Sequence, residues 1–204
     1  MNFNDFSSWF KPLIVFGTKD IIKVFPEFNY NNLTNWNKTG YIIKLAKGFY
    51  TFEEIMRDRA FLFFACNQIV PHSYVSCESA ISYYGIGSLE DSITSVSSDT
   101  SYLYKSDYGN FKYHLINNPA LLSNIRLIES QGFSFKIATI EKALADYFYF
   151  NAKKQTRSEI SKLVFYKESI KKQVDRDVLI KISNDYENDS FKERIRNFLN
   201  VFYK

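Results

Sequence analysis

The chain has few of the residues that break, bend or cross-link a backbone. Its 204 residues include 7 Gly, 4 Pro, 2 Cys and 2 His. So little Gly and Pro leaves no stretch that reads as a flexible linker, and neither an internal repeat nor a low-complexity segment occurs. The two cysteines, Cys66 and Cys77, are not at a metal-ligand spacing. They exclude a disulfide framework, argue against a zinc site and fit a reducing cytosol. Long apolar runs are also missing. The longest, Ala60 to Cys66, falls far short of the roughly 20 residues that span a bilayer. The N-terminal MNFNDFSSWFKP lacks the basic start and apolar run of a signal peptide. A cytoplasmic protein without a membrane segment is expected.

Aromatic residues, by contrast, are abundant. The 20 Phe and 15 Tyr predict a tightly packed aromatic interior with short loops. The net charge is +4, too small to point to a polyanion partner by itself, so its distribution matters more. Residues 1–68 hold 8 Lys/Arg and 6 Asp/Glu, residues 69–150 hold 5 and 8, and residues 151–204 hold 13 and 8. Positive charge therefore collects at the two ends.

The most informative stretch runs from Gly17 to Thr51, GTKDIIKVFPEFNYNNLTNWNKTGYIIKLAKGFYT. Thr18 is a suitable N-cap, and Asp20 suits the positive end of a helix carrying Ile21, Ile22, Val24 and Phe25 on its buried side. Pro26 ends that helix. A second helix is expected over about Tyr30 to Thr39, with Asn29 as N-cap. At 100° per residue Tyr30, Leu33 and Trp36 fall on one side and Asn31, Asn35 and Lys38 on the other, with Asn32 and Thr34 on the flanks. Asn can pair bidentately with adenine, so the outward face suits base edges. Gly40 follows as a C′ cap, and Tyr41 to Leu45 alternates as a strand. Lys47-Gly48 reads as a turn, with Phe49 to Thr51 returning. Two helices followed by a basic hairpin outline a winged helix-turn-helix. In it Lys44 and Lys47, with Thr18 and Lys19, would meet phosphates.

Upstream, Asn2 to Trp9 reads as a short helix. Downstream, Phe52 to Gln68 reads as a helix that includes Ile55, Met56, Arg59 and Phe63. Ser73 is expected to cap a helix from Tyr74 to Tyr84. Strands are expected at 93–97, 102–105, 110–116, 125–129 and 133–138. Thr139 then starts an apolar helix, IEKALADYFYF, and the tail is helical. Thr156 with Glu159 and Ser190 with Glu193 form capping boxes, and Phe191, Ile195, Phe198, Leu199 and Phe202 lie along one stripe. The expected fold class is α+β: a winged helix-turn-helix over residues 1–70, then a larger mixed α+β domain over 71–204 with a helical C-terminal end.

Reactive constellations are scarce. His72 lies beside Ser73 and Ser76, but no G-x-S-x-G elbow surrounds them. Glu141 and Asp146, five apart on a helix, do not share a face. Neither a glycine-rich phosphate loop nor a Cys/His metal cluster is present, so no catalytic residue, metal or cofactor is expected. The basic tail, with Lys153, Lys154, Arg157, Lys162, Lys171 and Lys172, reads either as a solvated face or as a contact for an acidic partner or DNA flanks.

Four ordered patches resemble the AbiEi-type antitoxins, transcriptional regulators of bacterial abortive-infection systems. They are LTNWNKTGYIIKLAKGFY from Leu33, YVSCESAISYYGI from Tyr74, ITSVS from Ile93 and IATIEKALADY from Ile137. The resemblance implies a winged helix-turn-helix joined to an antitoxin domain, repression of its own operon through inverted repeats in double-stranded DNA, and a type IV arrangement. There the counterpart is a co-encoded nucleotidyltransferase-like toxin with which no stable complex forms. The family's wing signature falls on Gly40, Tyr41, Ile42, Leu45, Gly48, Phe49 and Tyr50, which shape the wing and do not read DNA. Where members commonly carry two basic residues before the wing glycine, this chain has Ala46 and Lys47. The rival readings are a stand-alone winged-helix regulator and an interaction module that has lost DNA binding.

Overall fold

In the computed structural model, Trp36 lies within a cage of phenylalanines, and most of the N-terminal architecture follows from that packing. The structure describes residues 1–55, 57–88, 91–106, 108–153 and 156–203, together with the backbone but not the side chain of residue 120. Met56 and Lys154, both singled out in the sequence, lie outside the described residues.

Helix α1 (Phe3–Phe10) starts where the Asn2 side chain accepts a hydrogen bond from the Asp5 N–H at 2.8 Å. A 3-10 turn (Lys11–Leu13) leads to β1 (Val15–Gly17), α2 (Thr18–Val24) and α3 (Asn31–Lys38). Strands β2 (Ile42–Ala46) and β3 (Phe49–Phe52) complete a three-stranded antiparallel sheet in the order β1-β3-β2. Phe6, Phe10, Phe16, Phe28, Leu33, Trp36, Ile42 and Phe52 fill the space between this sheet and the three helices.

The larger unit begins with α4 (Arg59–Ile69). It continues through β4 (Ser73–Val75), α5 (Cys77–Tyr83), β5 (Ser92–Ser97), β6 (Tyr102–Tyr104) and β7 (Asn110–Leu115). Strands β8 (Ile125–Ser130) and β9 (Phe133–Ala138) complete a mixed six-stranded sheet ordered β6-β7-β5-β4-β9-β8. Five helices follow among the described residues: α6 (Ile140–Phe150), α7 (Arg157–Ser161), α8 (Lys167–Gln173), α9 (Arg176–Asn184) and α10 (Asp189–Tyr203). The fold is mixed α+β, as expected from the pattern of elements.

The two units share a core. Val15, Ile43, Leu45 and Ala46 of the small sheet pack with α4 and the large sheet, while Ile42 and Phe52 face the helices. The small sheet is thus covered on both faces, and β2 has no outward apolar side. Helix α4, assigned to the first unit by the sequence reading, contributes Ala60, Phe61, Phe63, Ala65, Cys66 and Ile69 to the larger core. By packing, α4 lies with the larger unit.

Several local expectations are corrected. The described residues 53–55 and 57–58 are not helical: β3 ends at Phe52, and Asp58 starts α4 by accepting from the Phe61 N–H at 2.8 Å. Ser73 to Val75 is a strand, and α5 starts only at Cys77. Here β-sheet pairing with β5 and β9 prevails over helical propensity. Helix α10 is capped by Asn188, which accepts from the Phe191 N–H at 2.9 Å, and not by Ser190. The Thr156–Glu159 capping box and the buried stripe Phe191, Ile195, Phe198, Leu199 and Phe202 are present as expected.

Candidate nucleic-acid interface

Helix α3 has little intrinsic reason to exist. Five of its eight residues are Asn or Thr, which together cost about 3 kcal/mol of helix propensity relative to Ala. Burial of Leu33 and Trp36 offsets this, at about 1.5–3 kcal/mol for each large apolar side chain removed from water. The ends are tied by hydrogen bonds. The Asn29 carboxamide accepts from the Asn31 N–H at 3.0 Å. At the other end Gly40, at φ +77°, closes a Schellman motif: the Tyr41 N–H donates to the Trp36 carbonyl at 2.9 Å and the Gly40 N–H to that of Asn37 at 3.4 Å. Tyr41 then stacks on Phe3 of α1, with ring centroids 4.6 Å apart.

The outward face of α3 is the one the helical angle gives. Asn31, Thr34, Asn35 and Lys38 are exposed, and their side chains have no hydrogen-bond or ion-pair partner among the described residues. Tyr30 departs from the expectation. It precedes the helix, stays exposed and meets only the edge of Phe28. Asn32 is half-buried and faces the connection between α2 and α3. There, with Val24, Phe25 and Pro26, it lines an open hollow of about 470 Å³.

Helix α2 also differs in detail. Its N-cap is Gly17 and not Thr18, with the Asp20 carboxylate accepting from the Gly17 N–H at 2.8 Å. The Thr18 N–H donates instead to the carbonyl of Gly48 at 2.9 Å. A Cβ placed on Gly48 would lie 3.2 Å from the Thr18 hydroxyl. The start of α2 therefore docks on the β2–β3 turn. Thr18 is half-buried, with its N–H already used, which removes the N–H as a free phosphate donor. Only Ile21 of α2 is fully buried; Ile22 and Val24 are exposed.

Lys44 projects from β2 into solvent, and Lys47 occupies the tip of a two-residue turn in which Gly48 has φ +80°. Ala46 is buried, so at this position a small side chain fits the shared core. Two carboxylates that follow β3 are paired with other cations: Glu54 with Lys11 at 2.6 Å and Glu53 with Arg57 at 3.3 Å. Lys19, Lys38, Lys44 and Lys47 have no carboxylate partner among the described residues, so their charges remain available to an anion.

One contact was not legible in the spacing. The Asn37 carboxamide accepts from the Lys44 N–H at 2.9 Å. Strand β2 is the free edge of its sheet, so this bond fills an otherwise open donor and fixes α3 against β2.

A second polar constellation lies in the larger unit. Lys142 and Asp146, one turn apart on α6, form an ion pair that is almost fully buried. Asp146 also accepts from the hydroxyls of Ser76 at 2.7 Å, Tyr186 at 2.7 Å and Tyr74 at 3.1 Å. The Lys142 ammonium donates to the Tyr186 oxygen at 2.6 Å. Beside them Cys77 stands at φ +49° on the corner between β4 and α5, fully buried, and burial pushes its thiol up, away from the reactive thiolate. None of these side chains is more than 3% exposed, so the cluster has no mouth through which a substrate could reach it. The i,i+4 spacing of Lys142 and Asp146 was visible in the sequence; the three hydroxyls that join them come from distant segments. No group of three or more His, Cys, Asp or Glu able to hold a metal occurs among the described residues. Nor is any helix among them long and apolar enough to cross a membrane.

Compared with known proteins, the chain matches no protein-family model and no curated protein.

Proposed function

We propose that the protein is a sequence-specific DNA-binding autorepressor whose N-terminal unit acts as a winged helix-turn-helix, and that it serves as the antitoxin of a type IV toxin–antitoxin pair in the cytoplasm. The observation that carries the DNA reading is the polar face of α3, unpartnered among the described residues, together with four lysines that no described carboxylate neutralises. In this reading α3 enters the major groove, with Asn31 and Asn35 addressing base edges. Lys38 also addresses base edges, Lys19, Lys44 and Lys47 hold the backbone, and the β2–β3 hairpin is the wing. Asn32 and Thr18 support the arrangement from within. The antitoxin role rests on the resemblance of the four sequence patches to AbiEi-type proteins, and the counterpart is a nucleotidyltransferase-like toxin with no stable complex between the two. The larger unit is assigned no catalysis.

The test is a binding titration of the full chain against the duplex upstream of its own gene and against an unrelated duplex, at two salt concentrations. A preference for the first duplex, with affinity falling steeply as salt rises, supports the reading. Equal affinity for both, or none at low salt, overturns it. The toxin half is tested by whether the adjacent gene encodes a nucleotidyltransferase-like protein whose toxicity this chain relieves.

A further inference from the structure

The free edge of β2 faces a polar cleft of about 360 Å³ between the small sheet and the larger unit. On one side stand Asn37 and Lys44; on the other, Lys105, Ser106 and Tyr108 from the segment that follows β6. The far wall is held in place. The Ser106 hydroxyl donates to the Gly109 carbonyl at 2.8 Å, and the Arg57 guanidinium lies 4.7 Å from the centre of the Tyr108 ring. Arg57 in turn engages Glu53, the carboxylate that lines the cleft among the described residues. Lys44 and Lys105 are both exposed and without a carboxylate partner among the described residues.

Among the described residues, two cations face one cleft whose carboxylate is already paired, which favours an anion. Position indicates which one. Helix α3 has eight residues and is therefore about 12 Å long, close to the width of the major groove. A helix of that length crossing the groove brings its C-terminal end to the bordering phosphates, and the cleft opens beside that end, at Asn37 and Gly40.

Building on the DNA-binding reading, we propose that this cleft takes a backbone phosphate of the bound duplex, with Lys105 supplying a cation from the larger unit opposite Lys44. The DNA interface then extends past the winged module, and the larger unit takes part in holding the operator. This gives a function to the packing of the small sheet on the larger core, since the two walls of the cleft belong to different units.

The test uses the full chain with Lys105→Ala, a duplex carrying the DNA upstream of its gene, an unrelated duplex, and versions of the first trimmed from each end. Circular dichroism checks that the variant is folded. Each phosphate contact contributes about 0.9 to the salt slope, so at 0.1 M salt the variant loses affinity about eightfold, equally for both duplexes, and its slope falls by about 1. Trimming away the contacted phosphate abolishes the difference between variant and wild type. Wild-type affinity and slope in the variant, or a loss that persists on every trimmed duplex, overturns the proposal. If Asn35→Ala loses specificity while Lys105→Ala changes nothing, the cleft assignment alone fails. If the wild type binds no duplex at low salt, the DNA reading fails and takes this inference with it.

Discussion

The carboxamide of Asn37 holds the backbone N–H of Lys44 at 2.9 Å, joining the last turn of α3 to the edge strand of the small sheet. The bond sets the angle between the proposed recognition helix and the wing. Replacing Asn37 with Ala leaves an edge N–H to water and costs about 0.5–1.5 kcal/mol of stability. Asn37→Asp keeps the acceptor and therefore the melting temperature, but places a negative charge beside the proposed phosphate and weakens DNA binding. Thermal melts and fluorescence anisotropy on the two variants separate the effects. If both melt alike and bind alike, the contact has no positioning role.

Gly40 and Gly48 both have positive φ, but their surroundings differ. A Cβ on Gly40 meets nothing within 4 Å, so Gly40→Ala costs only the left-handed backbone penalty, about 1–2 kcal/mol. A Cβ on Gly48 would lie 3.2 Å from the Thr18 hydroxyl. Gly48→Ala therefore also pushes the turn that carries Lys47 away from the start of α2. DNA affinity should fall more for Gly48→Ala than for Gly40→Ala at comparable stability loss. Equal binding losses would mean the docking of α2 on the turn is irrelevant to the interface.

The buried Lys142–Asp146 pair gives an ordered prediction. Lys142→Met leaves Asp146 with three hydroxyl donors, and the loss lies near the lower end of the 3–5 kcal/mol typical of a broken buried pair. Asp146→Ala leaves an ammonium without its counter-charge and three hydroxyls without their acceptor, and is the more damaging change. Urea denaturation of both variants checks the order. The reverse order would show that the lysine, and not the aspartate, organises the cluster.

His114 stacks on Phe150 with ring centroids 4.2 Å apart, and burial, with help from Lys112, holds its pKa below the usual 6.5. Glu78 and Asp146 act in the opposite direction without reversing the shift. The unfolded chain then takes up a proton at higher pH than the folded one. Stability from this source is complete above about pH 6.5 and falls as pH drops towards the folded value. Between pH 7 and pH 5.5 the urea midpoint should fall less in His114→Gln than in wild type. An identical fall in both would rule out His114 as a source.

Where side-chain periodicity alone decides structure, the sequence was readable. The outward face of α3, the Gly40 cap, the five strands of the larger unit read from period-two patterns, and the stripe of α10 all follow from spacing within one element. Legibility failed where a tertiary partner decides. Ser73 to Val75 form a strand because β5 and β9 flank them, and Thr18 gives up the cap because Gly48 takes its N–H. Ile42 and Ile43 are both buried because the sheet has a core on each side, so β2 lacks the alternation of a half-exposed strand. The Asn37–Lys44 bond and the cleft beside Lys105 join residues whose relation only the fold creates.

The most direct test of the central claim, that the outward face of α3 reads DNA, is the specificity ratio of Asn35→Ala. Affinity for the duplex upstream of the gene is divided by affinity for an unrelated duplex at fixed salt. Asn35 is exposed and its side chain has no partner among the described residues, so the variant should fold as the wild type does. If Asn35 pairs with a base edge, the ratio falls by about 1–3 kcal/mol, roughly five- to 150-fold, while unrelated DNA binds as before. An unchanged ratio in Asn35→Ala, and again in Asn31→Ala, would contradict the account.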